Sequence, residues 1–254
     1  MIRFEHVSFA YAAAPVLRDV SFHVAAGETV VIFGVSGSGK STVLKLVSGL
    51  VKPQSGRVII NGDDMTRASE SAWSKLRPQI GFVFQGGALF DSMTVGENVG
   101  FTLLEHTDRS LAEIEVTVLE TLRFLNLSED LIDTLPDSLS GGMQRRVAIG
   151  RAVAAVDPLI MLYDEPTTGL DPVSTEAITE MILKLQQVKK VSSIVVTHQI
   201  ADAFEVSDHF IVLHDGMMVF DGTGQEFVSS QVPEVRSFLV PFMESVKAIP
   251  AVCP

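Results

Sequence analysis

The sequence predicts an α/β fold arranged around a phosphate-binding loop, and three observations favour it. Residues 34–41 read GVSGSGKS and fit the pattern G-x-x-x-x-G-K-[ST] in full. The apolar run 29–33 before this loop is typical of a buried strand, and residues 42–50 after it are typical of a helix. Beyond residue 159, strand-like and helix-like segments alternate, as they do in α/β domains.

The loop itself predicts a site for the phosphates of a nucleotide. Its glycines let the backbone curl so that several N–H groups point inward, and the start of the following helix adds a partial positive charge. Lys40 can reach the β- and γ-phosphates, and the hydroxyl of Ser41 can ligate Mg²⁺. The alternative, a glycine-rich turn before an ordinary helix, is disfavoured by the strand and helix on either side. The predicted nucleotide-binding residues here are Gly34, Ser36, Gly37, Ser38, Gly39, Lys40, Ser41 and Thr42.

The composition limits the classes of protein to which the chain can belong. With 254 residues, 46% of them hydrophobic, it can form one large domain or a domain with a subdomain. A net charge of −12 with scattered Lys and Arg argues against nucleic acid as a partner. The single cysteine, Cys253, cannot form an internal disulfide, which suits a reducing compartment. We expect a cytoplasmic protein, because no apolar run approaches the roughly 20 residues that cross a bilayer and the N-terminus lacks a secretory signal.

The N-terminal third of the chain shows the two-residue alternation of strands. A hairpin turn is expected at 25–28, leading into the strand before the phosphate loop, and a tight hairpin turn at Asn61-Gly62. The predicted strands are 2–9, 16–24, 29–33, 57–60 and 80–84.

Helices dominate between about residues 86 and 156. Ser110 and Glu113 form a capping box, and the apolar residues behind it recur every three or four positions, as on one face of a helix. A further helix is expected at 144–156. Strands follow at 159–163, 193–197 and 210–213, helices at 174–188 and 201–206, and one or two helices with a loose tail after 224.

The apolar strand at 159–163 ends in two carboxylates, Asp164 and Glu165. A strand buried on both faces delivers such acids to the edge of the sheet. Asp164 can then hold Mg²⁺, directly or through water, and Glu165 can accept a proton from an attacking water. Strands often end at charged turns, so the two carboxylates alone are a weak indication of a site. The phosphate loop upstream makes the indication strong.

A second uncommon string, LSGGMQ, occupies residues 139–144. A serine hydroxyl and glycine N–H groups at the start of a helix can form another anion site. The alternative is an N-cap followed by a helix whose Arg145, Arg146 and Arg151 lie on its solvated side.

Taken in order, these strings resemble the motifs of the ATP-binding cassette (ABC) ATPases. The resemblance covers residues 2 to about 224 and implies an α/β P-loop NTPase fold, that of an ABC nucleotide-binding domain with an N-terminal antiparallel β subdomain and a helical subdomain. It implies an ATPase domain at 1–224, whose helical subdomain at about 86–156 is inserted in a RecA-like core, and a C-terminal helical extension at 225–254. The motifs that carry the resemblance are residues 34–41, Gln85, residues 139–144, residues 159–165, Asp171 and His198.

The resemblance implies that ATP and Mg²⁺ lie between two copies of the chain. Subunits of this family pack head to tail, so the phosphate loop of one copy would share an ATP with Ser140, Gly141 and Gly142 of the second. Met143 departs from the Gln that is usual at the fifth signature position, which leaves Ser140 and the glycine amides in place.

Individual roles also follow from the resemblance. Tyr11 matches the aromatic residue that stacks on adenine, with a strand-end tyrosine as the alternative. Gln85 matches the residue that contacts Mg²⁺ and water and senses the transporter, and Glu165 matches the general base. Asp171 matches an aspartate of the loop that crosses the dimer interface, and His198 matches the histidine that contacts the γ-phosphate. The implied metal ligands are Ser41, Gln85 and Asp164, and the implied catalytic residues are Glu165, His198 and Gln85.

Within the family, the segments 85–99, 104–107, 142–146 and 233–239 look like those of the ATPases in Mla-type (MCE) phospholipid transport. That resemblance implies membrane permease subunits, an MCE-domain lipid-binding protein and, in some members, a STAS-domain protein as partners. It implies a position on the cytoplasmic face of the inner membrane. The apolar residues of segment 84–101 either contact the permease or pack within the helical insertion: Leu89, Phe90, Met93 and Val95.

Other functions fit the core motifs as well. An importer ATPase for amino acids or another small solute would carry the same motifs. A soluble ABC machine of DNA repair or translation usually has a coiled-coil insertion or two cassettes, which this sequence lacks. A nucleotide-binding module without turnover commonly lacks the base that Glu165 provides.

Overall fold

The computed structural model describes residues 1–154, 158–207 and 209–248. The end of the helix predicted at 144–156, the end of the predicted tail and Cys253 lie outside these residues. The strands are β1 (Ile2–Tyr11), β2 (Ala14–Val24), β3 (Thr29–Phe33), β4 (Ser55–Ile60), β5 (Asp63–Asp64), β6 (Ile80–Val83), β7 (Ile160–Asp164), β8 (Ser192–Val196), β9 (His209–His214) and β10 (Met217–Thr223).

The α-helices are α1 (Lys40–Val47), α2 (Glu70–Leu76), α3 (Val95–His106), α4 (Leu111–Phe124), α5 (Gly141–Ala154), α6 (Pro172–Lys189), α7 (Ile200–Val206), α8 (Gly224–Ser229) and α9 (Pro233–Ala248). Short 3₁₀ turns lie at Arg77–Gln79, Glu129–Leu131 and Pro136–Ser138. Of the helices in the described residues, none is both long and apolar enough to span a bilayer.

The chain forms two compact units. The first unit contains Met1–Ala25, Thr29–Arg67 and the chain from Val195 onward, and the second contains Ala26–Glu28 and Ala68–Ile194. Strand β8 carries the chain from the second unit back into the first. The mixture of strands and helices confirms the predicted α/β fold class.

The first unit holds an antiparallel sheet in the order β2-β1-β4-β5. Phe4 of β1 stacks on Phe22 of β2 with ring centroids 4.6 Å apart, and β4 and β5 pair across Asn61-Gly62, which confirms the tight hairpin turn. The hairpin predicted at 25–28 is wrong, because β2 pairs with β1 whereas β3 pairs in parallel with β9. The burial patterns give the reason: β2 buries one face, whereas β3 is buried along its whole length, as parallel strands are.

The same unit packs its C-terminal helices close to the strand that precedes the phosphate loop. Strands β3, β9 and β10 lie side by side, with β10 antiparallel to β9. The ring centroids of Phe227 in α8 and Phe238 in α9 lie 5.1 Å and 5.8 Å from that of Phe33, the last residue of β3. The segment after residue 224 therefore contributes to the core of the first unit through these two rings and the buried Val235 and Leu239.

The second unit combines a parallel strand pair with a set of helices. β6 and β7 pair from Ile80↔Ile160 to Val83↔Tyr163. The predicted capping box is confirmed at the start of α4, where Glu113 accepts the N–H of Ser110 at 2.8 Å and Ser110 accepts that of Glu113 at 3.4 Å. The apolar face predicted from the periodicity is buried at Ile114, Val118, Leu122 and Leu125, whereas Leu111, in the first turn of α4, is 75% exposed.

Candidate nucleotide site

The phosphate loop leaves the buried strand β3 and leads directly into α1. Gly39 is the N-cap of α1 with φ +106°, and no side chain caps this helix start. A Cβ at Gly39 would lie 2.6 Å from Cδ2 of Leu17, so both the backbone angle and the space require glycine. The Lys40 ammonium donates to the carbonyl oxygens of Gly34 at 2.7 Å and Val35 at 3.3 Å, which holds a positive charge over the loop.

These features fit an anionic ligand. The Ser38 side chain is buried, and its hydroxyl has no hydrogen-bond partner among the described residues. A buried hydroxyl, a helix start without a side-chain cap and a lysine ammonium together suit the phosphates of a nucleotide.

Two further predicted residues lie in the first unit. The ring of Tyr11 packs edge-on against Phe9, and Lys45 of α1 lies 6.0 Å from its centroid, so Tyr11 is close to the helix that follows the phosphate loop. Its ring is 47% exposed, which leaves a face for stacking. His198 follows β8, and the N–H of the preceding Thr197 donates to the carbonyl of Ile32 in β3. This bond brings the exposed His198 to the end of β3 from which the phosphate loop departs.

In the second unit, Asp164 is the last residue of β7 and Gln85 lies two residues beyond β6, the strand that pairs with β7. Val83 at the end of β6 is opposite Tyr163 of β7, so Gln85 and Asp164 emerge at the same edge of the parallel pair. Both offer oxygen atoms, which Mg²⁺ prefers. The third predicted metal ligand, Ser41, belongs to the first unit, and the shared metal site remains a prediction.

Glu165 follows directly at this edge, in an unusual backbone conformation. Its φ of +49° lies in the left-handed region, and its side chain is largely buried. The Thr168 hydroxyl donates to Oε2 of Glu165 at 2.9 Å. A carboxylate held in this way is available to accept a proton from water.

The LSGG segment lies close to the start of α6 within the second unit. Ser140 accepts the N–H of Met143 at 3.3 Å, so α5 begins at Gly141, three residues before the predicted start. This cap uses the backbone of Met143 and does not depend on its side chain. A Cβ at Gly142 would lie 2.3 Å from Oγ of Ser174.

Asp171 caps α6 by accepting the N–H of Ser174 at 3.0 Å and its hydroxyl at 2.6 Å. The Ser174 hydroxyl, with its N–H, holds the pKa of Asp171 below the ordinary value. Asp171 is therefore a helix cap here, and its place at a dimer interface stays a prediction.

Arg145 and Arg151 of α5 do not lie on a solvated side, which corrects that alternative, and Arg146 is half-buried with a hydrogen bond to the carbonyl of Asn126 at 3.1 Å. Arg145 is only 6% exposed and donates to the carbonyl of Phe84 at 2.7 Å. Arg151 donates to the carbonyls of Ala88 at 2.7 Å and Gly87 at 3.0 Å. Burial lowers the pKa of both guanidinium groups. These side chains hold the loop that carries Gln85, and they carry no motif signal of their own.

Asn98 is a third residue that the sequence motifs do not reveal. It is fully buried in α3, accepts the N–H of Phe90 and donates to the carbonyls of Phe90, Met93 and Thr94. Val95 is fully buried as well, so it packs within the unit, whereas Phe90 is 39% exposed.

The family model described as "ABC transporter" matches residues 17–168 of the chain. Among curated proteins, the chain is 38% identical over 239 residues to TRIGALACTOSYLDIACYLGLYCEROL 3 of Arabidopsis thaliana, covering 88% of this chain and 68% of that protein. It is 33% identical over 239 residues to the intermembrane phospholipid transport ATP-binding protein MlaF of Haemophilus influenzae, covering 94% and 90%. It is 36% identical to the probable ribonucleotide transport ATP-binding protein mkl of Mycobacterium leprae, of which it covers 65%.

Solved structures show the same fold. The dimeric ATP-binding cassette MJ0796 bound to ADP and Pi is 34% identical with a TM-score of 0.80, covering 88% of this chain and 98% of that one. CbiO1 of Clostridium perfringens, part of the ABC transporter complex cbiONQ, is 27% identical with a TM-score of 0.82 and covers 98% of each chain.

Proposed function

The chain belongs to the ABC transporter family, whose ATP-binding subunits hydrolyse ATP with Mg²⁺, and from this membership we propose that it powers phospholipid transport between the inner and outer membranes. The lipid substrate is proposed from the match to MlaF, which extends over nearly the whole of both chains. The Arabidopsis relative is named after a galactolipid, which supports a diacylglycerol lipid as the substrate but not the phosphate of its headgroup.

We assign the binding of ATP to the phosphate loop and Tyr11. The phosphate loop and Lys40 neutralise the triphosphate, and Tyr11 stacks on the base. Mg²⁺, when bound, screens the phosphate charges, and Ser41, Gln85 and Asp164 would hold it. All three offer oxygen ligands, which supports this assignment.

The chemical step requires a base beside the attacking water. Glu165 accepts the proton of that water, and Gln85 and His198 orient the water and the γ-phosphate. The left-handed backbone and the burial of Glu165 support this assignment, because strained residues cluster at functional sites.

The second copy of the chain supplies the remainder of the pocket in this proposal. Ser140 and the amides of Gly141 and Gly142 would contact the ATP held by the phosphate loop of the partner, and Asp171 would lie at the interface. The dimer of MJ0796 with ADP and Pi supports this arrangement. A Ser140 hydroxyl that accepts the Met143 N–H retains its own proton for donation to a phosphate.

The same proposal places the dimer on membrane permease subunits at the cytoplasmic face of the inner membrane. An MCE-domain lipid-binding protein and a STAS-domain protein complete the proposed assembly. The half-exposed Phe90, whose ring packs at a tilt against Phe101 with centroids 4.6 Å apart, supports an apolar permease contact within residues 84–101. Membership of CbiO1 in a transporter complex is consistent with such a partner.

The Glu165→Gln variant tests the catalytic assignment. ATP turnover should fall by about 10²–10⁴-fold, the usual contribution of a general base, while ATP binding persists and an ATP-dependent dimer accumulates on size-exclusion chromatography. Glu176→Gln is the matched control, since Glu176 lies exposed on α6 of the same unit, and it should hydrolyse ATP at the unaltered rate. Wild-type turnover by Glu165→Gln would show that the base is assigned wrongly.

The membrane partners test the substrate. When the chain is purified from its own cells with a mild detergent, we expect a permease, an MCE-domain protein and bound phospholipid to accompany it. A permease that works with a solute-binding protein would favour the importer of amino acids or other small solutes. The relative named for ribonucleotide transport makes nucleotide uptake the specific form of that second candidate.

A further inference from the structure

We infer that Thr168 is a positioning residue that holds the carboxylate of Glu165 in the orientation required for proton abstraction. The inference rests on the proposed role of Glu165 as the general base. Its first support is the hydrogen bond from the Thr168 hydroxyl to Oε2 of Glu165, 2.9 Å long, in a partly buried setting.

The backbone between the two residues supports the same role. Glu165 has φ +49° and precedes Pro166, and both the sign of φ and the following proline disfavour this conformation for an ordinary residue. The N–H of Thr168 points back to the carbonyl of Glu165 at 3.4 Å, so its main chain closes the turn while its side chain contacts the carboxylate. Conformations of this kind persist only where the surroundings over-determine them, and Thr168 supplies two such contacts.

A threonine hydroxyl suits this task for two chemical reasons. It is neutral, so it orients the carboxylate without compensating the negative charge that attracts a proton. It is also β-branched, which restricts rotation about χ1 and holds the donor in place without a large entropy cost. A lysine or arginine at this position would instead form an ion pair with the base.

The neighbouring Thr167 provides a matched control. Its side chain is buried, and its hydroxyl has no hydrogen-bond partner among the described residues, so it makes no hydrogen bond to Glu165. Replacement of either threonine by valine removes one hydroxyl and preserves the branched shape. Of the two substitutions, only Thr168→Val removes a hydrogen bond to Glu165.

The test measures ATP turnover against ATP concentration for single variants. Thr168→Val should lower kcat by about tenfold or more, since small displacements of a catalytic group can cost up to about 10²-fold, with KM for ATP within about twofold. Thr168→Ser, which keeps the hydroxyl, should restore kcat to within about threefold of wild type. Thr167→Val should change kcat by less than about twofold.

A double variant separates this inference from the proposed base. If Thr168 acts only through Glu165, adding Thr168→Val to Glu165→Gln should lower the residual turnover no further. The inference is overturned, with the base intact, if Glu165→Gln is inactive while Thr168→Val retains wild-type kcat. It is also overturned if Thr168→Ser is as slow as Thr168→Val, because the hydroxyl would then be irrelevant. Wild-type turnover by Glu165→Gln would refute the base itself. Should Thr168→Val fail to fold, Thr168→Ala and Thr168→Ser give the same comparison.

Discussion

The phosphate loop of the first unit is shaped largely by its own backbone, whereas the loop that carries Gln85 in the second unit is held by side chains far away in the sequence. At 34–41, a helix start, a glycine with φ +106° and a lysine that bonds to two nearby carbonyls define the conformation. At 84–94, Arg145 and Arg151 donate to loop carbonyls from more than sixty residues downstream, and Asn98 bonds to the loop from α3.

The difference explains why one loop has a sequence motif and the other does not. A loop made by its own backbone needs glycines and a lysine at fixed spacing, because each supplies a local angle or charge. A loop held from a distance needs only carbonyl oxygens, which every residue has, so its sequence can vary. The arginines that hold the second loop also tie it to α5, whose first turn carries the LSGG segment.

Of the substitutions that test this comparison, Gly39→Ala should have the largest effect on ATP affinity. The added Cβ meets Leu17 at 2.6 Å and the carbonyl of Val16 at 3.0 Å, in a backbone conformation that only glycine adopts readily. Strain of about 1–3 kcal/mol that falls on the loop corresponds to a loss of about fivefold to 150-fold in ATP affinity. Isothermal titration calorimetry with ATP and Mg²⁺ measures this loss of affinity. The second unit, which contains Ser140 and Gln85, should remain folded in the variant.

Gly62→Ala is the control for this substitution. Gly62 has φ +90° in the turn between β4 and β5, with no atom within 4 Å of an added Cβ. Its replacement should cost about 1–2 kcal/mol of stability and leave ATP affinity unchanged. Equal ATP affinities for Gly39→Ala and the wild type would mean that the loop is not set by its own backbone.

The limits of prediction from sequence follow the same division. The phosphate loop, the capping box of Ser110 and Glu113 and the buried strand before Asp164 depend on local angles and periodicity, and the sequence predicts their structure. Strand β3 pairs with β9, far away in the sequence, and not with the neighbouring β2, because both faces of β3 are buried. Local sequence does not show this partner, so the predicted hairpin at 25–28 is wrong. The positions of Arg145 and Arg151 depend on how α5 packs against β6, which no periodicity encodes.

Asn98→Ala should show the opposite pattern, a loss of folding stability with a much smaller change in ATP affinity. The substitution removes the side-chain partner of the Phe90 N–H and the Met93 carbonyl in a fully buried position. The carbonyls of Phe90 and Thr94 keep the backbone N–H groups of Met93 and Asn98 as donors. At about 1–3 kcal/mol for each unsatisfied group that water cannot reach, a net loss of about 3 kcal/mol is expected after relaxation. Urea unfolding followed by circular dichroism measures the stability.

The nucleotide affinity of the same variant decides whether the two loops are organised independently. Because the phosphate loop does not depend on Asn98, the ATP affinity of Asn98→Ala should stay within about twofold of wild type below the unfolding transition. Glu97→Gln, one residue away on the exposed side of α3, keeps an acceptor for the N–H of Thr94 and should cost less than about 0.5 kcal/mol. Loss of ATP affinity in Asn98→Ala at temperatures where the protein remains folded would contradict the separation, since distant side chains would then shape the phosphate loop as well.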